Sequence, residues 1–207
     1  MSIIKLNNNG VKNATAFGSA VTSLGSMTFI KKLTASSSAT LSFVDGSDGV
    51  VLDNTYKEYV FTFNNMHPAT DAVEFQFQGN AAGGSGYNET ITSTFFRAYH
   101  NYDSGSTGLG YQTGSDQANG TAFQTLIGNV GNDNDQSTSG YLHLFNPSST
   151  TFVKHFIAKL NYYGHDNGSA NDFVSGYFNT TSAIDEIQFK MSSGNIDAGD
   201  ICLYGIA

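Results

Sequence analysis

Apolar and polar residues alternate along much of the chain. In YKEYVFTFNN (56–65), Lys57, Tyr59, Phe61 and Phe63 fall on one side, and Glu58, Val60 and Thr62 on the other. In AVEFQFQ (72–78), Val73, Phe75 and Phe77 point inward, and Glu74, Gln76 and Gln78 outward. A period of two marks a strand with one face on a core and the other toward water. Further strands are predicted over 26–34, 39–43, 89–102, 122–129, 140–146, 150–163, 172–180, 184–191 and 200–206. The segment 150–163 reads as the longest, with Phe152, Phe156 and Leu160 on one face. Asp-Gly turn signals fall within 42–50. Loops are expected at 79–88, 131–139 and 164–172, and a surface excursion at 103–121, which is too long for a hairpin turn. No amphipathic helical segment separates the strands. The pattern therefore predicts an all-β fold, an antiparallel β-sandwich or jelly roll with long Gly/Asn-rich loops, as one domain over 26–207. Core candidates are Phe61, Phe63, Phe75, Phe77, Phe152, Phe156 and Phe189.

Residues 1–25 break the pattern. Ile3, Ile4, Leu6, Val11 and Phe17 are apolar and need burial, but no period is sustained. Two placements fit: a leader packed on its own domain, or an extended N-terminal arm that docks on a neighbouring subunit.

Composition sharpens the fold and narrows the function. Of 207 residues, 86 are Gly, Ser, Thr or Asn; 16 are Phe, 11 Tyr and none Trp, and only four are Glu. Scarce helix formers disfavour helices, and abundant aromatics disfavour disorder. The net charge of -8, with nine Lys and Arg scattered along the chain, excludes a basic nucleic-acid stripe and discourages contact with an anionic membrane. No apolar run approaches the length of a membrane-spanning helix. The N-terminus lacks the apolar core of a signal peptide, so synthesis in a reducing cytoplasm is expected. The single cysteine, Cys202, cannot form an internal disulfide and reads as a small buried strand residue.

Candidate chemistry is sparse. His67, His100, His143, His155 and His165 show no metal-ligand spacing, and the strand histidines read as sheet-face rings with hydrogen-bond partners. Asp133 and Asp135 carry oxygens suited to calcium, but their loop lacks the glycine and glutamate of an EF-hand. No other cofactor is indicated. Glu58, Glu74, Glu89 and Glu186 form no evident acid pair for glycoside hydrolysis. The tyrosines Tyr87, Tyr102, Tyr111, Tyr162 and Tyr163 read as loop residues that could stack on sugars or pack between subunits.

Several long segments carry a resemblance. They are LTASSSATLSFVDGSDGVVLDNTYKEYVFTFNNMHPATD (33–71), FRAYHNY (96–102), LGYQTGSDQANGTAFQ (109–124), GNDNDQSTSGYLHLFNPSSTTFVKHF (131–156) and YFNTTSAIDEIQFKMSSGNIDAGDICLYGI (177–206). Together they resemble virion structural proteins of marine bacteriophages of the cyanophage and pelagiphage kind. The resemblance implies a jelly roll on the particle surface and brings no catalytic residues. The expectation is a non-enzymatic capsid-decoration (cement) or tail-fibre protein. It would be a homo-oligomer, a trimer by preference, docked on the major capsid protein or on tail or fibre proteins. The alternative is an adhesin module binding host-surface polysaccharide through the loop tyrosines. A polysaccharide-degrading enzyme is a third class, for which no acid pair stands out.

Overall fold

The computed structural model describes residues 26–103 and 105–207. Twelve strands are present among them: β1 (Met27–Ser38), β2 (Leu41–Val44), β3 (Glu58–Pro68), β4 (Val73–Ala81), β5 (Ile91–Asn101), β6 (Thr107–Tyr111), β7 (Gln124–Val130), β8 (Thr138–Phe145), β9 (Lys154–Tyr163), β10 (Gly168–Phe178), β11 (Ile184–Met191) and β12 (Ile196–Ile206). The described residues contain no helix. The arm residues Ile3, Ile4, Leu6, Val11 and Phe17 lie outside the described part.

The strands form two antiparallel sheets packed as a sandwich. One has eight strands in the order β1-β12-β3-β8-β9-β10-β5-β6, and the other four, β2-β11-β4-β7. The pairings β1 with β12, β2 with β11, β3 with β8 and β4 with β7 show the logic. The chain runs out through four strands and returns antiparallel along them, alternating between sheets. This is a jelly roll. Two hairpin insertions, β5–β6 and β9–β10, then pair with each other and with β8, widening one sheet only.

The core follows from the alternation. Phe61, Phe63, Phe75, Phe77, Phe156 and Phe189 are all buried, as the sequence predicts, and Phe43 and Phe178 join them. Phe189 on β11 is the hub: its ring centroid lies 5.3 Å from Phe61, 5.2 Å from Phe63 and 5.8 Å from Phe75. Most of these contacts are edge-to-face, the arrangement that the charge distribution of the rings favours.

Several expectations need correction. Phe152 is 68% exposed, because the strand starts two residues later. Lys154 takes the buried slot in that register, its ammonium held by the carbonyls of Phe152 and Thr180, each at 3.0 Å. Its aliphatic stem packs where an apolar residue was expected. Gln78 is buried rather than outward: the segments after it fold back, and its amide donates to Glu89 O (3.0 Å) and Ala122 O (2.8 Å). Cys202 is half-buried on the outer face, since Ile201 and Leu203 on either side fill the core. The excursion 103–121 contains β6, and the supposed loop at 79–81 belongs to β4. Glycine hid both. A side chain at Gly108 would meet the Tyr99 ring at 2.7 Å, and one at Gly79 would meet Phe178 at 3.0 Å, so here glycine permits close strand packing. The longest strand is β1, not β9.

Candidate functional site

Two surfaces stand out. The first is the outer face of the eight-stranded sheet, which nothing among the described residues covers. One register row crosses the whole sheet: Lys32, Cys202, Thr62, Tyr141, Lys159, Phe173, Phe96 and Tyr111. Phe96 and Phe173 stack with centroids 4.7 Å apart, and the Lys159 ammonium sits 5.3 Å from the Phe173 centroid. Phe29, Ile157 and Leu109 lie in neighbouring rows and are more than half exposed. Glu58 and His143 pair on this face at 2.5 Å.

The second surface is a cleft at the tip of the widened sheet, where the eight strands outrun the four. Its foundation is a cross-strand pair. Arg97 on β5 lies opposite Asp172 on β10 in register. The guanidinium donates from Nε to Asp172 Oδ1 at 2.7 Å and from Nη2 to Oδ2 at 2.9 Å. Gly128 N on β7 donates to Asp172 Oδ2 at 3.2 Å. Asp172 is fully buried, so the pair depends on this complete set of bonds. Burial pushes the Asp172 carboxyl above its ordinary value, against the opposing pull of Arg97. The guanidinium carbon also lies 5.4 Å from the Tyr162 ring centroid.

Above this pair opens a pocket of about 320 Å³ lined by Arg97, Asn101, Gln112, Asn129, Tyr162 and Asp166, among others. An adjoining cleft of about 470 Å³ shares Asn101 and Tyr162 with it and adds His100, Tyr102 and Tyr163.

The five candidate tyrosines therefore divide. Tyr102 and Tyr163 line the tip cleft, and Tyr162 borders it from the opposite face of β9. Tyr162 is not a loop residue: it lies on the inner face of β9 and is only 4% exposed, because the even-numbered positions of that strand all face inward. Burial pushes its phenol far above the ordinary value. Tyr163 closes β9, and its hydroxyl donates to Asn167 Oδ1 at 3.2 Å. Tyr111 ends β6 and donates to Asp116 Oδ2 at 2.6 Å, away from the cleft. Tyr87 lies on the other sheet's side, beside Ser42 and Glu186, with its phenol raised mainly by burial.

Asp133 and Asp135 are exposed. Their loop is organised by buried Gln136, whose Oε1 accepts from Asp133 N (2.9 Å) and whose Nε2 donates to Gly164 O (3.2 Å). Among the described residues no three His, Cys, Asp or Glu side chains are grouped to hold a metal ion. The strand histidines have near neighbours. His100 Nδ1 is 2.8 Å from Asn101 O, and the His155 ring lies edge-on to Tyr177.

Sequence reasoning missed Arg97, Gln112, Asn129 and Asp166. Only Arg97 left a signal, as the one cation inside an aromatic strand (TFFRAYHNY). Comparison with family models, with curated proteins and with solved structures found no match.

Proposed function

We propose that the chain is a non-enzymatic structural protein of a virus-particle surface, of the capsid-decoration or tail-fibre kind, acting by self-assembly and docking on other virion proteins. The observation that carries this reading is the bare outer face of the eight-stranded sheet. Monomers rarely leave apolar side chains such as Phe29, Phe96, Leu109, Tyr141 and Ile157 together in water, and patches of this kind mark interaction surfaces. The jelly-roll topology and the segment resemblance to marine phage virion proteins point the same way. A neighbouring copy of the chain is the occupant we assign to this face. Symmetric assembly would also stabilise a disulfide-free domain outside a cell. The test is immunogold labelling of intact particles with antibody against residues 26–207: surface label supports the reading, and label only on free protein overturns it. Loss of particle incorporation on deleting residues 2–25, with the domain still folded, would assign docking to the arm; normal incorporation would reject the arm.

A second reading, glycan adhesion, draws on Tyr102 and Tyr163, which line one cleft at the tip with Tyr162 at its border. A fibre head can serve both purposes.

A further inference from the structure

The pocket beside Arg97 holds a concentration of unspent hydrogen-bonding capacity. Arg97 uses Nε and Nη2 on Asp172, and its Nη1 has no partner among the described residues. The side chains of Asn101, Gln112, Asn129 and Asp166 and the Tyr162 hydroxyl also make no hydrogen bond to a described residue. None of these atoms is sealed away from solvent as an unpaired buried group. Six polar side chains thus meet around one space of about 320 Å³, at the lower end of the range for small-ligand pockets.

Their chemistry selects a ligand class. An apolar ligand would strip water from all six and leave each unpaired. An anion would meet the Asp166 carboxylate in the wall and a chain of net charge -8. A polyhydroxylated neutral ring satisfies both kinds of partner. Its oxygens accept from Arg97 Nη1 and the amide N–H groups, and its hydroxyl protons go to Asp166 and the amide oxygens. Asp172 fixes the guanidinium before any ligand arrives, which lowers the ordering cost of binding. The adjoining cleft offers exposed Tyr102 and half-buried Tyr163 to the next residue of a chain.

We infer that this pocket binds one uncharged sugar residue of a polysaccharide, with Arg97, Gln112, Asn129 and Asp166 as its polar contacts. The inference rests on the glycan-adhesion reading and deepens it.

The test is ligand-observed saturation-transfer NMR on the full chain with glucose, galactose, mannose, N-acetylglucosamine and glucuronate, beside a neutral-oligosaccharide array. Gln112→Leu and Asp166→Ala are the pocket variants, chosen because neither residue is buried and both should melt like the wild type. The expected result is transfer to at least one neutral sugar, weakened at least tenfold in both variants. Oligosaccharide binding that survives both variants but is lost in Tyr102→Ala overturns the pocket and leaves glycan adhesion standing. Preference for glucuronate overturns the neutral class. No binding of any saccharide overturns the pocket and the adhesion reading together.

Discussion

Under the four-stranded sheet, the inner face of β3, β8 and β12 is filled by Phe61, Phe63, Leu142, Ile201 and Leu203, all essentially inaccessible. Toward the tip, the inner face of β5, β9 and β10 instead carries Arg97, Asp172 and Tyr162, and β7 is the last strand to cover it. The backbone alternation is the same in both regions. What differs is the lid. Where a second sheet closes the face, apolar burial and ring packing hold it. Where the lid ends, water reaches the edge, and a fixed ion pair and free polar groups replace the rings. Widening one sheet without the other thus creates the pocket, and it extends the bare outer face from β1, β12, β3 and β8 across β9, β10, β5 and β6.

The comparison can be broken from the strong side first. Phe189→Ala removes the hub of the aromatic core and should cost about 3–5 kcal/mol, read by urea unfolding. At the tip, Asp172→Ala leaves a half-buried guanidinium unpaired and should cost about 3 kcal/mol. The double variant Arg97→Met with Asp172→Leu should recover most of that loss; a double variant as unstable as the single one would show that the pair does more than neutralise itself. Tyr59→Phe is gentler. Its hydroxyl donates to Asp53 O at 3.0 Å, and the loss should be about 1 kcal/mol.

Tyr59 also sets a pH window. Burial is the main cause that pushes its phenol up from 10.0 to about 12. The unfolded chain therefore loses this proton first on the way to high pH. The stability linked to the group is complete below about pH 10 and is lost as pH rises toward 12. Melting curves from pH 9 to 12 should show this fall, and Tyr59→Phe should make it shallower, leaving the part that belongs to buried Tyr162. The smallest effect belongs to the outer face: Lys32→Ala opens an exposed bridge to Asp200 at 3.2 Å and should change stability by less than about 0.5 kcal/mol.

The covered region was legible in the sequence because its strands alternate cleanly, and six of the seven predicted core phenylalanines, on β3, β4, β9 and β11, lie where the period puts them. The widened region was less so. Glycines at 108 and 110 read as loop, yet they sit opposite Tyr99 and Arg97 in a real ladder. Lys154 and Gln78 broke the polarity rule because carbonyls from other segments, Thr180 over Lys154 and Glu89 and Ala122 over Gln78, meet their polar ends, which no local pattern reveals. Tyr162 reads with the loop tyrosines although it falls inside the predicted strand 150–163, on the parity of Phe156 and Leu160. The pocket was hidden from any local pattern, like the burial of Lys154 and Gln78: Gln112 follows β6, Asp166 lies in the β9–β10 turn and Asn129 is on β7 of the other sheet, and they meet only through the pairing of β5 with β6 and β10 and the docking of β7 on the β9–β10 turn.

The central claim is that the uncovered outer face is an assembly face. Sedimentation velocity of the full chain, beside a double variant Leu109→Glu with Ile157→Glu, tests it most directly. Both substitutions sit on exposed positions and should leave melting unchanged. The account predicts an oligomer for the wild type and a monomer for the double variant. A wild type that sediments as a monomer, or an oligomer indifferent to both charges, would contradict it.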